Sequence, residues 1–377
     1  MADHLLFILA IALADEEELE DDNDDIELFG MVSTFMRRNL NRSRYFFEVT
    51  VPMYFADEFQ GHFRLSRTTA ERLAREVVAT GQVRNGNNFG RIAIPAEKQV
   101  LVYLWMMANG RETTRQVADR FDITLSSCGI VLRRVTSALL SLRQQYIKWP
   151  NVTEMRDIAE HFEEGGMPGV IGVIDGTFIR IRAPSMNPEA YNCRKKFHAL
   201  QLQMVCDNNM VLTDVLAGWP GSVHDSRVLR NSSLCATAAD KFPHDYHLLG
   251  DGGYPLKRWL MVPFRNNGHL PLNQVNFNRV LSSNRQIVER AVSLLKGRWR
   301  KLKYLDHLAV KLMVEIIMGA CVLHNLCLVN DDFDNIYFLD DETDDIDNDD
   351  DNNAVGLEDG DRPAEQKRQH LVNIVAR

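Results

Sequence analysis

Apolar residues recur at helical spacing up to about residue 150 and at strand-like spacing from residue 170 onward. In SRTTAERLAREVVATG (66–81) and IPAEKQVLVYLWMMANG (94–110), cap-type residues or Pro95 open each run and Gly81 or Gly110 closes it, as helices do. The segment ETTRQVADRFDITLSSCGIVLRRVTSALLSL predicts a short helix over 113–121, a tight break at Asp122–Thr124 and a second helix. That second helix has Ser126 or Ser127 near its start and Val131, Val135, Ala138 and Leu139 on one face. The outline is that of a helix-turn-helix, whose second helix would lie in a DNA groove with Arg133 and Arg134 at phosphates. A helical hairpin that packs and binds no nucleic acid has the same outline.

A linker-like EEGGMPG (163–169) precedes the change of period. Alternation predicts strands over 170–182, 199–206, 210–217 and 246–250, with the turn CDNN joining the second and third as a hairpin. Between them VHDSRVLRNSSL reads as a helix, and the chain is helical again from 282 to about 329, with a break near Gly297. Three strands, a helix, a strand and a long helix predict a mixed α/β arrangement around one sheet.

Composition changes this picture at the ends. Residues 1–27 hold eleven acidic residues and no Lys or Arg, and residues 331–361 hold fifteen and again none. Such runs cannot bury enough apolar surface to pack, so a leader over 1–30 is expected to be partly disordered and a tail over 331–377 disordered. An EF-hand reading of the tail fails, because a loop starting at Asp345 would need Gly where Asp350 stands and Glu where Gly356 stands. The net charge of −9 conceals a basic body, since residues 28–330 carry 39 Lys and Arg against 25 acids. An excess of this sign suits a polyanionic partner, DNA first, although a solvated basic surface would look the same. Cys128, Cys193, Cys206, Cys235, Cys321 and Cys327 show no zinc-like spacing and fit a reducing compartment. Leu5–Ala14 is apolar but too short to span a bilayer, and reads as a docking helix or a signal segment; no other segment reads as a span, so no membrane is expected.

Four acids stand out against this background: Asp175 in VIGVIDGTFIRIR, Asp225 in GSVHDSRVL, Asp251 in HLLGDGGYPL and Glu289 in NRQIVERAVSLLKGRW. Asp175 is flanked by apolar strand residues, where a charge is costly unless paired or bound to a metal. Asp251 projects from a strand end. Asp225 opens a helix, and serves either as a metal ligand or as a helix cap. At about 100° per residue, Arg285, Glu289 and Lys296 fall within about 60° on one helix face. That spacing fits an acid at a metal flanked by bases at phosphates, or a surface ion-pair ladder. Clustered carboxylates suit Mg²⁺ or Mn²⁺, two ions acting together on a phosphodiester. Arg194, Lys195 and Lys196 before the second strand, and Lys296, Arg298, Arg300 and Lys301 in KGRWRKLK, are further candidate DNA contacts.

The blocks IGVIDGTFIRIRAP, YNCRKKFHALQLQMVCD, GWPGSVHDSRVLRNS, LLGDGGYPLKRWLMVPF and NRQIVERAVSLLKGRWRKL resemble, in order, those of the PIF/Harbinger transposases and the nucleases derived from them. The resemblance implies an RNase H-like catalytic domain over 165–330, preceded by an all-helical domain over 31–164. It implies a DDE triad of Asp175, Asp251 and Glu289, with Asp225 as a further acid at the metal. The spacing of Arg285, Glu289 and Lys296 resembles the Y-x2-R-x3-E-x6-K signature of bacterial insertion-sequence transposases, with Ser282 where Tyr would stand. The expected activity is metal-dependent DNA cleavage. An active transposase and a catalytically silent DNA- or protein-binding module of transposase origin are the alternatives. A Myb-like DNA-binding partner, a homo-oligomer, and a place in the nucleus as well as the cytoplasm are further expectations.

Overall fold

The computed structural model describes residues 42–83, 93–266, 268–307, 309–333, 337 and 362–375. The acidic leader and most of the acidic tail lie outside these residues, as does Leu5–Ala14. The compact unit runs from Tyr45 to Arg377.

Its first part is helical: α1 (Ala56–Phe63), α2 (Arg67–Ala79), α3 (Ala96–Ala108), α4 (Thr114–Arg120), α5 (Leu125–Ser141) and α6 (Val152–Glu164). Ser66 caps α2 by accepting from Thr69 N, and a Thr113–Gln116 capping box starts α4. Asp122 turns the chain at φ 48°, Thr124 caps α5 by accepting from Ser127 N, and Ser126 and Ser127 stand in its first turn as read from the sequence. Helices α4 and α5 meet at 99°, within the range of a helix-turn-helix pair. Val131, Val135, Ala138 and Leu139 are buried as the periodicity predicts. Helix α3 is apolar nearly all round and correspondingly central, with Trp105 edge-on to Phe46, Phe63 and Phe121.

The segment read as a linker is a tight helix-to-strand turn. Gly166 takes φ 81°, and the buried Met167 donates its N–H to Phe162 O at 2.9 Å. Beyond it come β1 (Val170–Arg180), β2 (Ala199–Cys206), β3 (Leu212–Pro220), α7 (Asp225–Arg230), β4 (His247–Leu249), β5 (Leu260–Met261), α8 (Leu272–Arg298), α9 (Val310–Val329) and α10 (Arg362–Val375). The sheet order is β3-β2-β1-β4-β5, antiparallel among the first three strands and parallel from β1 to β5. Strand β5 escaped the sequence reading because two residues carry no period. The helix read over 223–234 divides into α7 and a second short turn at Ser233–Ala236, because Ser232 intervenes and caps the latter. Helix α8 starts at Leu272, ten residues earlier than the periodicity predicted.

One large core includes residues of α2, α3, α5, α8, α9 and one face of the sheet, and a smaller one lies on the other face with α6 and α7. Asn325, with no exposed surface, ties α9 to β3: it accepts from Leu212 N and donates to Leu212 O and Tyr146 O. By length and composition α9 meets the measure of a membrane-spanning helix, contrary to the sequence reading. Its burial in this core accounts for that composition. The tail read as disordered to 377 ends in a helix, because Ala364, Leu371 and Val372 share one face of α10 and are buried. Asn276 on α8 also donates to Val375 O.

Candidate active site

The short strand β4 makes the site. It pairs with β1 only as far as Val173↔Leu249, which leaves the later half of β1 open on that edge. Asp175 and Asp251 each follow two residues after this last pair, so the two carboxylates leave the parallel pair at one level, Asp175 from the open stretch of β1 and Asp251 from the end of β4. Ligands of open α/β sheets bind at such strand ends.

Alternation sends Asp175 and Thr177 towards α8. Arg285 Nη2 lies 3.5 Å from Asp175 Oδ1, and Lys296 Nζ donates to Thr177 Oγ1 at 2.8 Å. Gly176 faces the opposite side, where Asp225 takes the space a side chain would occupy. A Cβ on Gly176 would come 2.2 Å from Asp225 Oδ1. The cap of α7 is His224, and the Asp225 carboxylate accepts a short hydrogen bond from Gln201 Nε2. A Cβ on Gly253 would stand 3.3 Å from Asp251 Oδ1 and 3.8 Å from Asp225 Oδ2, so this glycine is flanked by both acids. Gly253 N also donates to Asp251 Oδ1 at 3.1 Å, holding that carboxylate at the strand end.

The electrostatics agree with this convergence. Burial first, and then the Asp251 and Asp225 carboxylates, push the Asp175 carboxyl up to about 8, although Arg285 pulls it down. The Asp175 side chain retains 19% of its exposure, so the group sits at a crevice rather than in a sealed core. Oxygen donors that repel one another are suited to a hard divalent cation. Among the described residues, no three His, Cys, Asp or Glu side chains already stand in position to hold one ion. Glu289 is the outlying acid: it is exposed, one turn beyond Arg285 on the face of α8 that bears Lys296.

The other predicted contacts divide in two. Arg133 and Arg134 are exposed on α5. Arg194 and Lys196 are exposed and Lys195 half-buried in the turn before β2, with Arg194 5.9 Å from the Phe178 ring. Arg300 is half-buried. Arg298 and Lys301, read from the sequence as candidate DNA contacts in KGRWRKLK, are turned inward instead. Arg298 is 1% exposed, lies over the Tyr337 ring and donates to Asp332 O, and Lys301 is buried against Asp306 at 2.7 Å. Beyond Lys296 the chain turns into a 3-10 segment (Arg300–Lys303), so charge in sequence does not translate into one exposed face.

Sequence reasoning missed Gln201 and Tyr254. The signal for Gln201 was present, since ALQLQMVC sets two amides at alternate positions in an otherwise apolar strand, where they need partners. Tyr254 gave no signal, its aromatic ring passing for ordinary core.

The sequence profile of the DDE superfamily endonucleases matches residues 174–325. The Mus musculus protein named "Putative nuclease HARBI1" is 34% identical over 247 residues, covering 63% of this chain and 68% of its own length. The Homo sapiens protein of that name is 34% identical over 245 residues, with the same coverage. The Arabidopsis thaliana "Protein ALP1-like" is 27% identical over 293 residues, covering 73% of this chain and 71% of its own. No solved structure matches the chain.

Proposed function

Because this chain belongs to the family of Harbinger transposase-derived nucleases, with an RNase H-like DDE endonuclease domain, we propose that it hydrolyses DNA phosphodiester bonds with the help of divalent metal. The observation that carries the reading is the convergence of Asp175, Asp225 and Asp251 at the open edge of β1, with a basic helix face beside them. Asp175 and Asp251 would hold Mg²⁺ or Mn²⁺ together with Asp225 and Glu289. When bound, such ions supply Lewis acidity that activates water and stabilises the leaving oxygen.

The chain's own residues do the positioning. Arg285 partly offsets the charge of Asp175, and as a forked donor it can turn to a phosphate without losing its place on α8. Lys296 is held against Thr177 at the same level of the sheet, where a second phosphate oxygen can replace the hydroxyl. Arg194 and Lys196 extend this basic rim from the turn before β2, and contacts of this kind hold the DNA backbone without reading sequence. Arg133 and Arg134 on α5 offer a separate place for the duplex. A Myb-like partner and work in the nucleus follow from the same family reading.

The test is cleavage of plasmid DNA with Mn²⁺ or Mg²⁺, comparing the natural chain with Asp175→Ala and Glu289→Ala. Both substitutions are expected to abolish cleavage. Cleavage surviving in both variants would sink this site. No cleavage by the natural chain, with DNA binding retained, would favour a catalytically silent binding module, which the exposed position of Glu289 also suits.

A further inference from the structure

Tyr254 presents a problem that the proposed chemistry does not use. Its side chain is 3% exposed, and its hydroxyl has no hydrogen-bond partner among the described residues. Buried hydroxyls are rarely left in this state unless another molecule or a second arrangement of the site completes them. The ring is clamped where it is. A Cβ on Gly250 would come 3.2 Å from the ring and 3.1 Å from Leu260, so this glycine lets the phenol close over the end of β4. Tyr254 N donates to Asp251 O at 3.3 Å, which folds the loop 251–254 back on the acid it carries.

The ring belongs to the smaller core with Ile174 of β1 and Leu229 of α7, the side of the sheet on which Asp225 lies over Gly176. Gly253, the residue before Tyr254, borders the same acid, since a Cβ on it would stand 3.8 Å from Asp225 Oδ2. Gln201 donates to Asp225 Oδ1 from the floor of the same space. The Oε1 atoms of Gln201 and Gln203, both 2% exposed, have no partner among the described residues either. The space beside Asp225 is therefore polar, buried and incompletely hydrogen-bonded.

We propose that the Tyr254 hydroxyl is a positioning donor to the Asp225 carboxylate, completing with the Gln201 amide the hydrogen-bonded shell that holds this acid in the cation-loaded site. The inference rests on reading Asp175, Asp225 and Asp251 as ligands. Donors behind a ligating carboxylate fix its direction, and their loss commonly weakens metal binding by about 10- to 100-fold.

The experiment uses the full chain and Mn²⁺ alone as the probe, with calorimetric titration and thermal unfolding in EDTA. Tyr254→Phe is expected to weaken Mn²⁺ binding about tenfold while leaving the melting temperature in EDTA unchanged or higher. A merely structural hydroxyl would give the reverse pattern, a lower melting temperature with Mn²⁺ affinity intact, and that result would overturn the proposal. In an Asp225→Asn background the same substitution should change Mn²⁺ affinity no further. An undiminished loss there would assign the hydroxyl to another ligand and would also overturn it. Failure of the metal reading is distinguishable: the natural chain would then take up no Mn²⁺, or Asp175→Asn and Asp251→Asn would leave uptake unchanged, and this inference would fall with it.

Discussion

Gly176→Ala places the smallest possible side chain where the candidate site is tightest. The new Cβ would lie 2.2 Å from Asp225 Oδ1, 3.0 Å from its Cγ and 3.4 Å from Gln201 Nε2. Comfortable contact between heavy atoms needs about 3.5 Å, so the carboxylate must retreat by roughly an ångström. Asp225 is the first residue of α7, and its neighbours Val228 and Leu229 are buried, so the helix cannot simply slide away. Overpacking of this kind costs about 1–3 kcal/mol. The functional effect should be larger than the loss of stability, because ligand distances tolerate shifts of only about 0.2 Å. Mn²⁺ affinity is expected to fall by about 10- to 100-fold, with plasmid cleavage lost in parallel. The control is Gly129→Ala in the second turn of α5, where a Cβ meets nothing within 4 Å among the described residues. That substitution should stabilise the chain by about 0.8–1 kcal/mol through helix propensity and leave Mn²⁺ binding alone. Denaturant unfolding and calorimetric titration of the two variants decide the matter. If Gly176→Ala binds Mn²⁺ as the natural chain does, Asp225 is not a ligand in the place argued for it.

Two buried histidines should make the fold sensitive to acid. Burial drives His247 down to about 3 and His324 to about 4, so both are neutral in the folded chain and protonate near 6.5 once it unfolds. Their contribution is complete above about pH 6.5 and falls by roughly 1.4 kcal/mol per pH unit for each imidazole below it; a urea midpoint that is flat from pH 7 to 5 would refute this. Replacing Arg133 and Arg134 together by Ala should reduce the slope of log affinity against log salt by about two on duplex DNA, whereas an unchanged slope would leave α5 as a packing element. Asn325→Leu strands Leu212 N, Leu212 O and Tyr146 O in the core, and should cost about 3 kcal/mol or more in unfolding free energy; a loss below 1 kcal/mol would mean that water replaces the amide.

The sheet was legible in the sequence wherever strands are long enough to show a period. β2 has the limits the alternation predicted, and β1 and β4 differ from it by a few residues at their ends. Asp175 and Asp251 were legible because each interrupts or ends an apolar run, which a charge does only for a reason, and Asp225 because it opens a predicted helix. What could not be read is which cations face outward. Arg298 and Lys301 share a basic run with Lys296, yet Arg298 is buried at the end of α8 and Lys301 in the 3-10 turn that follows it. The relation of Asp225 to Gly176 was equally hidden, because it joins residues far apart in sequence through a space that exists only once β1 and α7 are packed.

The helix pair and the carboxylates are coupled by more than chain order. Arg143, just after α5, donates to Val215 O of β3 at 3.1 Å. A Cβ on Gly319 of α9 would stand 3.1 Å from the Tyr103 hydroxyl of α3, so α9 carries glycine where it crosses the helical layer. On the other side, a Cβ on Gly110 after α3 would meet the backbone of Arg300 at 2.6 Å, which fixes the end of α3 against the turn that follows α8. No linker intervenes between the helices and the sheet, since the segment 163–169 is itself a packed turn. A duplex held on the exposed face of α5 would therefore meet the open edge of β1 at an offset set by packing. Selection of the cleaved bond would then follow from this fixed distance along the DNA, with no base contact required at the carboxylates themselves.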